Sequence, residues 1–432
     1  MDYSLRRRKL QEAMGPRGAA CLANPSLAVR NANIEFPWQR ASGDMLYLTG
    51  LHEEDAILLL LPAQSAKPFV LFVHPSDPEK ERWSGPRLGV QGAQEQYGAE
   101  LVFPLERFDE ELPRLLEGID ELYLPFSASP QLWQSVKHAT RSLRRRPYQY
   151  VSGPRRFHDL SLLLGAQRRV KDPDELVAIQ AAVELGVACM RAGAAAISAN
   201  GNEALVDAAV LHCMRANGAR PAFANIIASG ARATVLHYQR NDAPLQSSEL
   251  VLIDIGAELG DYCSDLSRCF PVGGAWTTPQ RELYSLVLAA QQAAIDAMVP
   301  GNSVREPHRR ASLTLIRGCV ELGLLHGDPE ELYESGAHRR FYPHSTGHFL
   351  GIDAHDPGEL DGPDGPLPFE AGMVMTVEPG LYIPPDEQDI APHFRGIGIR
   401  IEDDVLVTPE GPRVLSAALP RSPEGVQALV AQ

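Results

Sequence analysis

Two aspartates in one segment of the sequence have the spacing of paired metal ligands. Asp254 lies inside the apolar run 251–255, and Asp265 follows it in LVLIDIGAELGDYCSDLSRCFP. An unpaired carboxylate buried in a strand is unfavourable, so Asp254 requires a cation, a metal ion or a proton. A turn at 259–260 would place Asp254 and Asp265 opposite each other in a hairpin, where like charges need a positive group between them. The segment therefore indicates either a metal site or a shifted hairpin with one exposed aspartate.

Three histidines lie close together in a glycine-broken stretch later in the chain. His344, His348 and His355 occur within YPHSTGHFLGIDAHDPG. Histidine is the commonest metal ligand, and three of them beside aspartates indicate a site rather than isolated surface residues. Their spacing does not fit the HExxH pattern, which excludes that class of zinc protease.

Two glutamates occupy strand positions similar to that of Asp254. Glu378 closes the apolar strand 373–377, and Pro379 prevents that strand from continuing in the middle of a sheet. In GIGIRIEDDVLVT, the alternation of side chains places Arg400 and Glu402 on the same face of one strand. Taken alone, Arg400 and Glu402 could equally form a surface ion pair.

Together these segments supply a donor set that suits divalent metal ions. The candidates are two aspartates, Asp254 and Asp265, two glutamates, Glu378 and Glu402, and one of the three histidines at 344, 348 and 355. Carboxylate-rich sites favour hard ions such as Mn²⁺, and one imidazole also admits Co²⁺ or Zn²⁺. Four carboxylates carry more charge than one divalent ion neutralises, whereas two ions about 3.5–4 Å apart fit the charge. The sequence therefore predicts a hydrolytic site with two divalent ions.

All five candidates belong to the second of two predicted domains. Residues 24–165 combine strands, such as 56–61 and 69–74, with helical patterns, which is typical of an α/β domain. Asp172 can then cap a helix that has Pro173 at its first position. We therefore predict one domain over 1–168 and a second, α+β domain over 169–432. Further helices are predicted at 203–217, 279–298 and 304–322, and strands at 251–255, 264–270, 373–378 and 399–407.

Composition disfavours several other classes of protein. The 432 residues carry a formal net charge of −15, which would repel nucleic acids and anionic membranes. No apolar run reaches the 18 residues of a membrane span, and the basic start of the chain lacks the apolar stretch of a signal peptide. The six cysteines form no CxxC pair. We expect a cytoplasmic protein that binds neither nucleic acid nor membrane.

Four segments resemble the metal-binding motifs of aminopeptidase P, the Xaa-Pro aminopeptidases of the pita-bread metallopeptidase fold. They are LVLIDIGAELGDYCSDLSRCFP, HSTGHFLGIDAHD, VMTVEPGLYI and RGIGIRIEDDV. RRRKLQEAM and SGDMLYLTGLHEEDAILLLLP resemble the family's creatinase-type N-terminal domain. The resemblance implies an α/β N-terminal domain over 1–168 and a pita-bread catalytic domain over 169–432.

The resemblance also implies catalytic roles for individual residues. It makes Asp254, Asp265, His348, Glu378 and Glu402 the metal ligands, with Asp265 and Glu402 bridging two ions. Glu378 would in addition be the general base. His237 and His355 would hydrogen-bond the substrate carbonyl and the developing oxyanion.

Further residues match positions on the family's substrate side. These are His237, His344, His355, Tyr382, Arg400, Asp44 and Trp83. In the family pattern, Asp44 would pair with Arg400, and Trp83 would enter a neighbouring subunit's pocket. We therefore expect a homodimer or homotetramer.

The implied activity is removal of one N-terminal residue from peptides that have proline in second position. Prolidase, which cleaves Xaa-Pro dipeptides, shares the ligands, but IPPDEQDIAPHFRGIGIRIEDD is more similar to aminopeptidase P. Creatinase shares the fold without the carboxylate ligands, so the four acidic residues disfavour it. A catalytically inactive binding module of this fold is disfavoured because all five ligand positions are retained.

Overall fold

A computed structural model describes residues 1–145 and 152–430. The chain divides into two compact units, Met1–Arg168 and Arg169–Gln432. Each unit has its own cluster of buried apolar side chains.

The first unit is built on a mixed six-stranded sheet. Its strands β1–β8 are Gly18–Ala23, Val29–Asn31, Ile34–Glu35, Ile57–Leu60, Phe69–Val73, Leu101–Pro104, Glu121–Leu124 and Arg156–Asp159. Its helices α1–α7 are Tyr3–Met14, Gly43–Thr49, Pro78–Ser84, Gly89–Tyr97, Phe108–Leu115, Pro130–Arg144 and Leu160–Arg169. The sheet order is β6-β5-β4-β1-β7-β8. Both β4 and β5 are wholly buried, which confirms the strands predicted from their apolar runs.

The second unit combines six helices with several small antiparallel sheets. Helices α8–α13 are Pro173–Ala195, Glu203–Ala216, Thr278–Ile295, Glu306–Glu321, Pro329–Glu334 and Pro423–Val430. Strands β9–β15 are Arg220–Pro221, Ile226–Ser229, Leu250–Ile255, Ala257–Leu259, Tyr262–Cys263, Leu266–Pro271 and Asp361–Gly362. Strands β16–β21 are Gly365–Pro366, Val374–Val377, Gly380–Tyr382, Gly398–Arg400, Asp403–Thr408 and Gly411–Val414. The sheets that matter for function are β10-β11-β14, β17-β20-β21 and β18-β19.

Helix α8 opens the second unit with the predicted cap. The Asp172 side chain accepts from the Glu175 N–H at 2.9 Å, and the Glu175 side chain accepts from the Asp172 N–H at 3.0 Å. This reciprocal capping box satisfies two N–H groups that the helix itself leaves without partners. Among the described residues, α8 is the one helix whose length and composition would allow it to cross a membrane. Its inner face is buried in the core of the second unit.

The hairpin from β11 to β14 has a different register from the predicted one. Asp254 pairs with Ser267 rather than with Asp265. The turn is centred on Gly260 and Asp261, both with positive φ, so the residues directly flanking it, Leu259 and Tyr262, pair. Positive φ at both central positions is the geometry of a tight hairpin turn. The observed register differs from the predicted one by two residues. Asp254 and Asp265 therefore still lie on the same face of the sheet, as diagonal neighbours instead of a directly opposed pair.

The predicted strand 399–407 is interrupted. Strand β19 ends at Arg400 and pairs with β18, whereas β20 begins at Asp403 and pairs with β17. Between them, Glu402 forms an isolated antiparallel bridge with Ser267. The prediction of one continuous strand was wrong because its two ends pair with different partners.

Candidate metal centre

Three of the five predicted ligands converge on one point. Donor atoms of Asp265, His348 and Glu402 all lie within 4.8 Å of one another. Asp265 precedes β14, and Glu402 is held beside that strand because its N–H donates to the Ser267 carbonyl at 3.0 Å. Both carboxylates are buried. Residues separated by 137 positions in the chain, from Asp265 to Glu402, therefore form a single donor cluster.

Glu378 lies next to this cluster. Its Oε1 is 3.6 Å from His348 Nε2, and its Oε2 is 3.6 Å from His344 Nδ1. The residue follows β17, and its N–H donates to the Thr346 carbonyl at 2.7 Å. The segment 344–355, which carries three histidines and is here called the histidine segment, is thus joined to the end of β17 by a backbone hydrogen bond.

Asp254 has one paired and one unpaired carboxylate oxygen. Arg400 donates to Oδ2 through Nη2. The other oxygen, Oδ1, is buried and has no hydrogen-bond partner among the described residues. A buried carboxylate oxygen without a donor is costly, and a metal ion would satisfy it.

The carboxylates have strongly perturbed pKa values. Burial, and then the charges of neighbouring carboxylates, raise the pKa values of Asp265 and Glu402 well above their usual range. Burial also raises the pKa of Glu378 to about 8. The cluster therefore carries more negative charge than the Arg400 guanidinium neutralises, and divalent ions would supply the missing positive charge. The donor set fits the two ions that the sequence predicts.

A hydrogen bond and burial keep His348 in the form that binds metal ions. Its Nδ1 is 3.1 Å from the Phe349 carbonyl, so this nitrogen carries the proton. The lone pair is then on Nε2, which lies 3.5 Å from Asp265 Oδ2. Burial lowers the pKa of His348 to about 4, which keeps the ring in the neutral form that binds metals.

A hydrogen-bonded chain on the substrate side joins three predicted residues. Arg400 Nη1 donates to the Tyr382 hydroxyl at 2.9 Å, and that hydroxyl lies 2.8 Å from His344 Nε2. Since the hydroxyl oxygen accepts from Arg400, its proton is free to be donated to His344. His344 Nδ1 lies 2.8 Å from the Ser345 carbonyl. Burial lowers the pKa of His344 to about 4, consistent with a neutral ring.

The two other predicted histidines are exposed beside this chain. The ring of His355 lies 4.0 Å from the ring of His348. His237 is close enough to His344 for its charge to contribute to lowering the pKa of His344. The structure thus gathers the five predicted ligands and the second-unit substrate residues in one region of the second unit.

Two predicted residues belong to the first unit. Asp44 forms an ion pair with Arg168 at 2.7 Å. Its expected pairing with Arg400 stays a prediction. Trp83 lies on α3, and 87% of it is exposed.

Sequence reasoning missed two polar residues of the site. The Ser267 hydroxyl donates to Glu402 Oε2 at 2.8 Å and accepts from Arg400 Nε at 3.0 Å. Asp404 Oδ2 accepts from the Asp265 N–H at 3.1 Å. Strand alternation could have indicated Ser267, since it shares a face with Asp265. Alternation along the predicted strand 399–407 would likewise have placed Asp404 on the same face as Glu402.

Comparisons with known proteins agree over the whole length of the chain. Residues 177–409 match the model of metallopeptidase family M24, and residues 3–123 match the aminopeptidase P N-terminal domain. The Xaa-Pro aminopeptidase of Haemophilus influenzae is 35% identical over 99% of this chain and 97% of its own length. An aminopeptidase structure from Pseudomonas aeruginosa has a TM-score of 0.95 and 37% identity, covering 100% of this chain and 97% of that one. An Escherichia coli aminopeptidase P variant in complex with substrate has a TM-score of 0.94 and 33% identity, covering 100% and 98% of the two chains.

These matches and the pita-bread fold of the second unit define the class as a metallopeptidase. Within that class, the chain belongs to the Xaa-Pro aminopeptidases of family M24, with an N-terminal domain of the aminopeptidase P type. The resemblance seen in the sequence motifs is confirmed, as is the two-domain fold that it implied.

Proposed function

We propose that this chain removes the N-terminal residue from peptides with proline in second position, using two divalent ions at the candidate metal centre. The observation that supports it best is the convergence of Asp265, His348 and Glu402 donors within 4.8 Å. Glu378 and Asp254 would complete the donor set, and Asp265 and Glu402 would be the ligands shared between the two ions. When bound, the ions would lower the pKa of a water molecule and polarise the scissile carbonyl.

Glu378 is the proposed general base. Its position beside both His348 and His344 puts a carboxylate within reach of a water molecule in the cluster. A carboxylate at this place could accept a proton from that water molecule, and the same group could return the proton to the leaving nitrogen.

His237 and His355 are the proposed donors to the substrate carbonyl. Both are exposed, whereas His344 and His348 are half-buried, so the rings of His237 and His355 are accessible to a bound peptide. A hydrogen bond to the oxygen that becomes negative in the transition state typically accelerates the reaction by about 100-fold or more.

The proline preference would come from flat side chains next to the metal centre. Proline has no N–H and a fixed φ, so a peptidase that binds the substrate's backbone N–H cannot use it. His344 and Tyr382 pack at a ring distance of 5.5 Å, and their hydrogen-bonded chain fixes both rings. Such fixed aromatic surfaces suit a pyrrolidine ring.

Mn²⁺ is the proposed native metal because four of the five donors are carboxylates, which hard ions prefer. A homodimer or homotetramer is the proposed assembly, and the 87% exposure of Trp83 supports a role outside its own chain. A cytoplasmic location is proposed from the acidic charge and the scattered cysteines.

Peptide turnover tests the proposal directly. Purified protein loaded with Mn²⁺ is given Xaa-Pro-Xaa, Xaa-Pro and Xaa-Ala-Xaa peptides at matched concentrations, and the released N-terminal residue is measured. We expect cleavage of the first peptide, little of the third, and loss of activity on chelation. Cleavage of the dipeptide alone would indicate a prolidase, and no turnover of any peptide with metal bound would indicate a binding module.

A further inference from the structure

We infer that Glu203 positions His237 by holding both sides of the segment 229–243, here called the His237 segment. This inference rests on the proposed role of His237 in the reaction. No motif singled out Glu203, which lies at the start of α9, far in sequence from the metal centre. Its side chain is fully buried.

One carboxylate oxygen of Glu203 holds the part of the segment that precedes His237. Its Oε1 accepts from the Ser229 N–H at 2.8 Å and from the Ser229 hydroxyl at 2.7 Å. It also accepts from Arg232 Nε at 3.1 Å. These three donors fix the end of β10 and the following 3₁₀ turn, Gly230–Thr234.

The other oxygen holds the part of the segment that follows His237. Its Oε2 accepts from the Tyr238 hydroxyl and the Ala243 N–H, both at 2.9 Å. The N–H of Glu203 donates in turn to the Ala243 carbonyl at 2.9 Å. His237 is therefore flanked on both sides by residues that bind the same carboxylate.

The segment also packs closely against the strand that carries Arg400. A Cβ on Gly398, in β19, would lie 2.1 Å from the Ala233 carbonyl oxygen, so the two backbones approach as only glycine allows. Glu203 on one side and β19 on the other leave the segment little freedom. The exposed ring of His237 is thereby presented beside His344.

Loss of the carboxylate should displace His237 rather than unfold the unit. Glutamine in place of Glu203 keeps one accepting oxygen but presents an NH₂ group to donors that also need acceptors. Buried donors left without partners are costly, so the segment would shift until water or other groups satisfy them. None of the predicted metal ligands hydrogen-bonds to Glu203, so metal binding should not change.

A double-mutant cycle tests this inference. Glu203→Gln, His237→Ala and the double variant are compared by kcat and KM on an Xaa-Pro-Xaa peptide, with metal content measured for each. We expect Glu203→Gln to lower kcat by about 10- to 100-fold, less than the roughly 100-fold or more for complete loss of one oxyanion donor, because His237 is displaced rather than removed. In the His237→Ala background, Glu203→Gln should have little further effect on kcat, because the ring that Glu203 positions is already absent. Metal content should be unchanged in all variants.

A matched control is Glu258→Gln. Glu258 is another buried glutamate of the second unit, paired with Arg220 at 2.7 Å on strands that do not belong to the His237 segment. Glu258→Gln should leave kcat within about two-fold of that of the unmodified protein, because Glu258 takes no part in the proposed reaction. If Glu203→Gln does not fold, Tyr238→Phe removes a single hydrogen bond to the same carboxylate and should lower kcat by a smaller factor that also vanishes without His237.

The outcomes separate the inference from the proposed function. If His237→Ala lowers kcat but Glu203→Gln lowers it by the same factor in both backgrounds, the inference is overturned while the role of His237 stands. If His237→Ala itself leaves kcat unchanged, the proposed role of His237 fails and the inference fails with it.

Discussion

Ser267 faces Asp254 across neighbouring strands, and its hydroxyl donates to Glu402 at 2.8 Å. The same oxygen accepts from Arg400 at 3.0 Å, and Arg400 in turn binds Asp254. One hydroxyl therefore links the orientation of two predicted metal ligands through a buried guanidinium. The link depends on the hairpin register, because the predicted register would place Asp265 where Ser267 stands.

Ser267→Ala should weaken metal binding without removing a ligand. Loss of the hydroxyl leaves a Glu402 oxygen and an Arg400 N–H without their partner, and groups that orient ligands typically affect metal affinity by about 10- to 100-fold. Titration of the metal-free protein with Mn²⁺, followed by calorimetry, measures the change. Ser312→Ala is the control, since Ser312 is a buried serine of the same unit whose hydroxyl has no hydrogen-bond partner among the described residues. Equal affinity in the two variants would contradict the role of Ser267.

Glu402→Gln should lower the metal content well below two ions per chain. The substitution removes a negative charge from a carboxylate that we propose is shared between two ions, and it replaces an oxygen donor with an NH₂ group that cannot coordinate. Metal analysis of the dialysed protein gives the stoichiometry, and turnover of an Xaa-Pro-Xaa peptide should fall with it. Two ions per chain and full turnover in this variant would exclude the two-metal assignment.

The sequence predicts which residues form the site better than it predicts how they are held. Strand alternation and acidic residues in apolar runs identify Asp254, Asp265 and Glu402, because a buried charge without a partner is unfavourable and therefore indicates a site. The register of the β11–β14 hairpin depends on two residues with positive φ, and alternation cannot show which pair forms the turn. The predicted register is wrong by two residues, and an even shift keeps each side chain on the same face of the sheet. The prediction that Asp254 and Asp265 share a face therefore does not depend on the correct register.

Long-range partners were beyond the reach of sequence patterns. Glu203 looks like an ordinary acidic residue in the first turn of a helix, where the helix dipole favours it. Its five donors come from the segment 229–243, and only the folded chain brings them together.

Metal-free protein should lose stability as the pH rises from about 7.2 to 8. The pKa of Glu378 is raised from 4.5 to about 8, so between these values the folded protein binds more protons than the unfolded chain. Stability must then fall as the pH increases through this window. Histidines act in the opposite direction: His308, His344 and His348, with folded pKa values lowered to about 4, make stability rise with pH, and this contribution falls off as the pH rises above the unfolded value of 6.5.

Scanning calorimetry of chelated protein at pH 7.2, 7.6 and 8 measures this effect. The unfolding midpoint should decrease across the series, and the decrease should be smaller in Glu378→Gln, which has no proton to lose. Added Mn²⁺ should raise the midpoint most at pH 8, since fewer protons then compete with the ion. A midpoint that rises with pH in the chelated protein would show that the carboxyl cluster is not protonated.

Lys171 and Asp356 form a buried ion pair beneath the histidine segment, and breaking it should be strongly destabilising. Lys171 Nζ lies 3.1 Å from Asp356 Oδ2, and both side chains are at most 2% exposed. The N–H of Asp356 donates to the Phe349 carbonyl at 2.9 Å, which closes the loop between His348 and His355.

Lys171→Met leaves the Asp356 carboxylate buried without its cation, at a cost of about 3–5 kcal/mol for a pair of this kind. Urea unfolding followed by circular dichroism measures the loss, with the exposed Lys137→Met as the control that should change stability by less than about 0.5 kcal/mol. Asp356→Asn added to Lys171→Met should recover part of the loss, because an amide is far less costly to bury than an unpaired charge. A double variant no more stable than Lys171→Met would mean that the lysine contributes by packing against its neighbours, such as the Phe349 ring 5.9 Å away, rather than by neutralising the carboxylate.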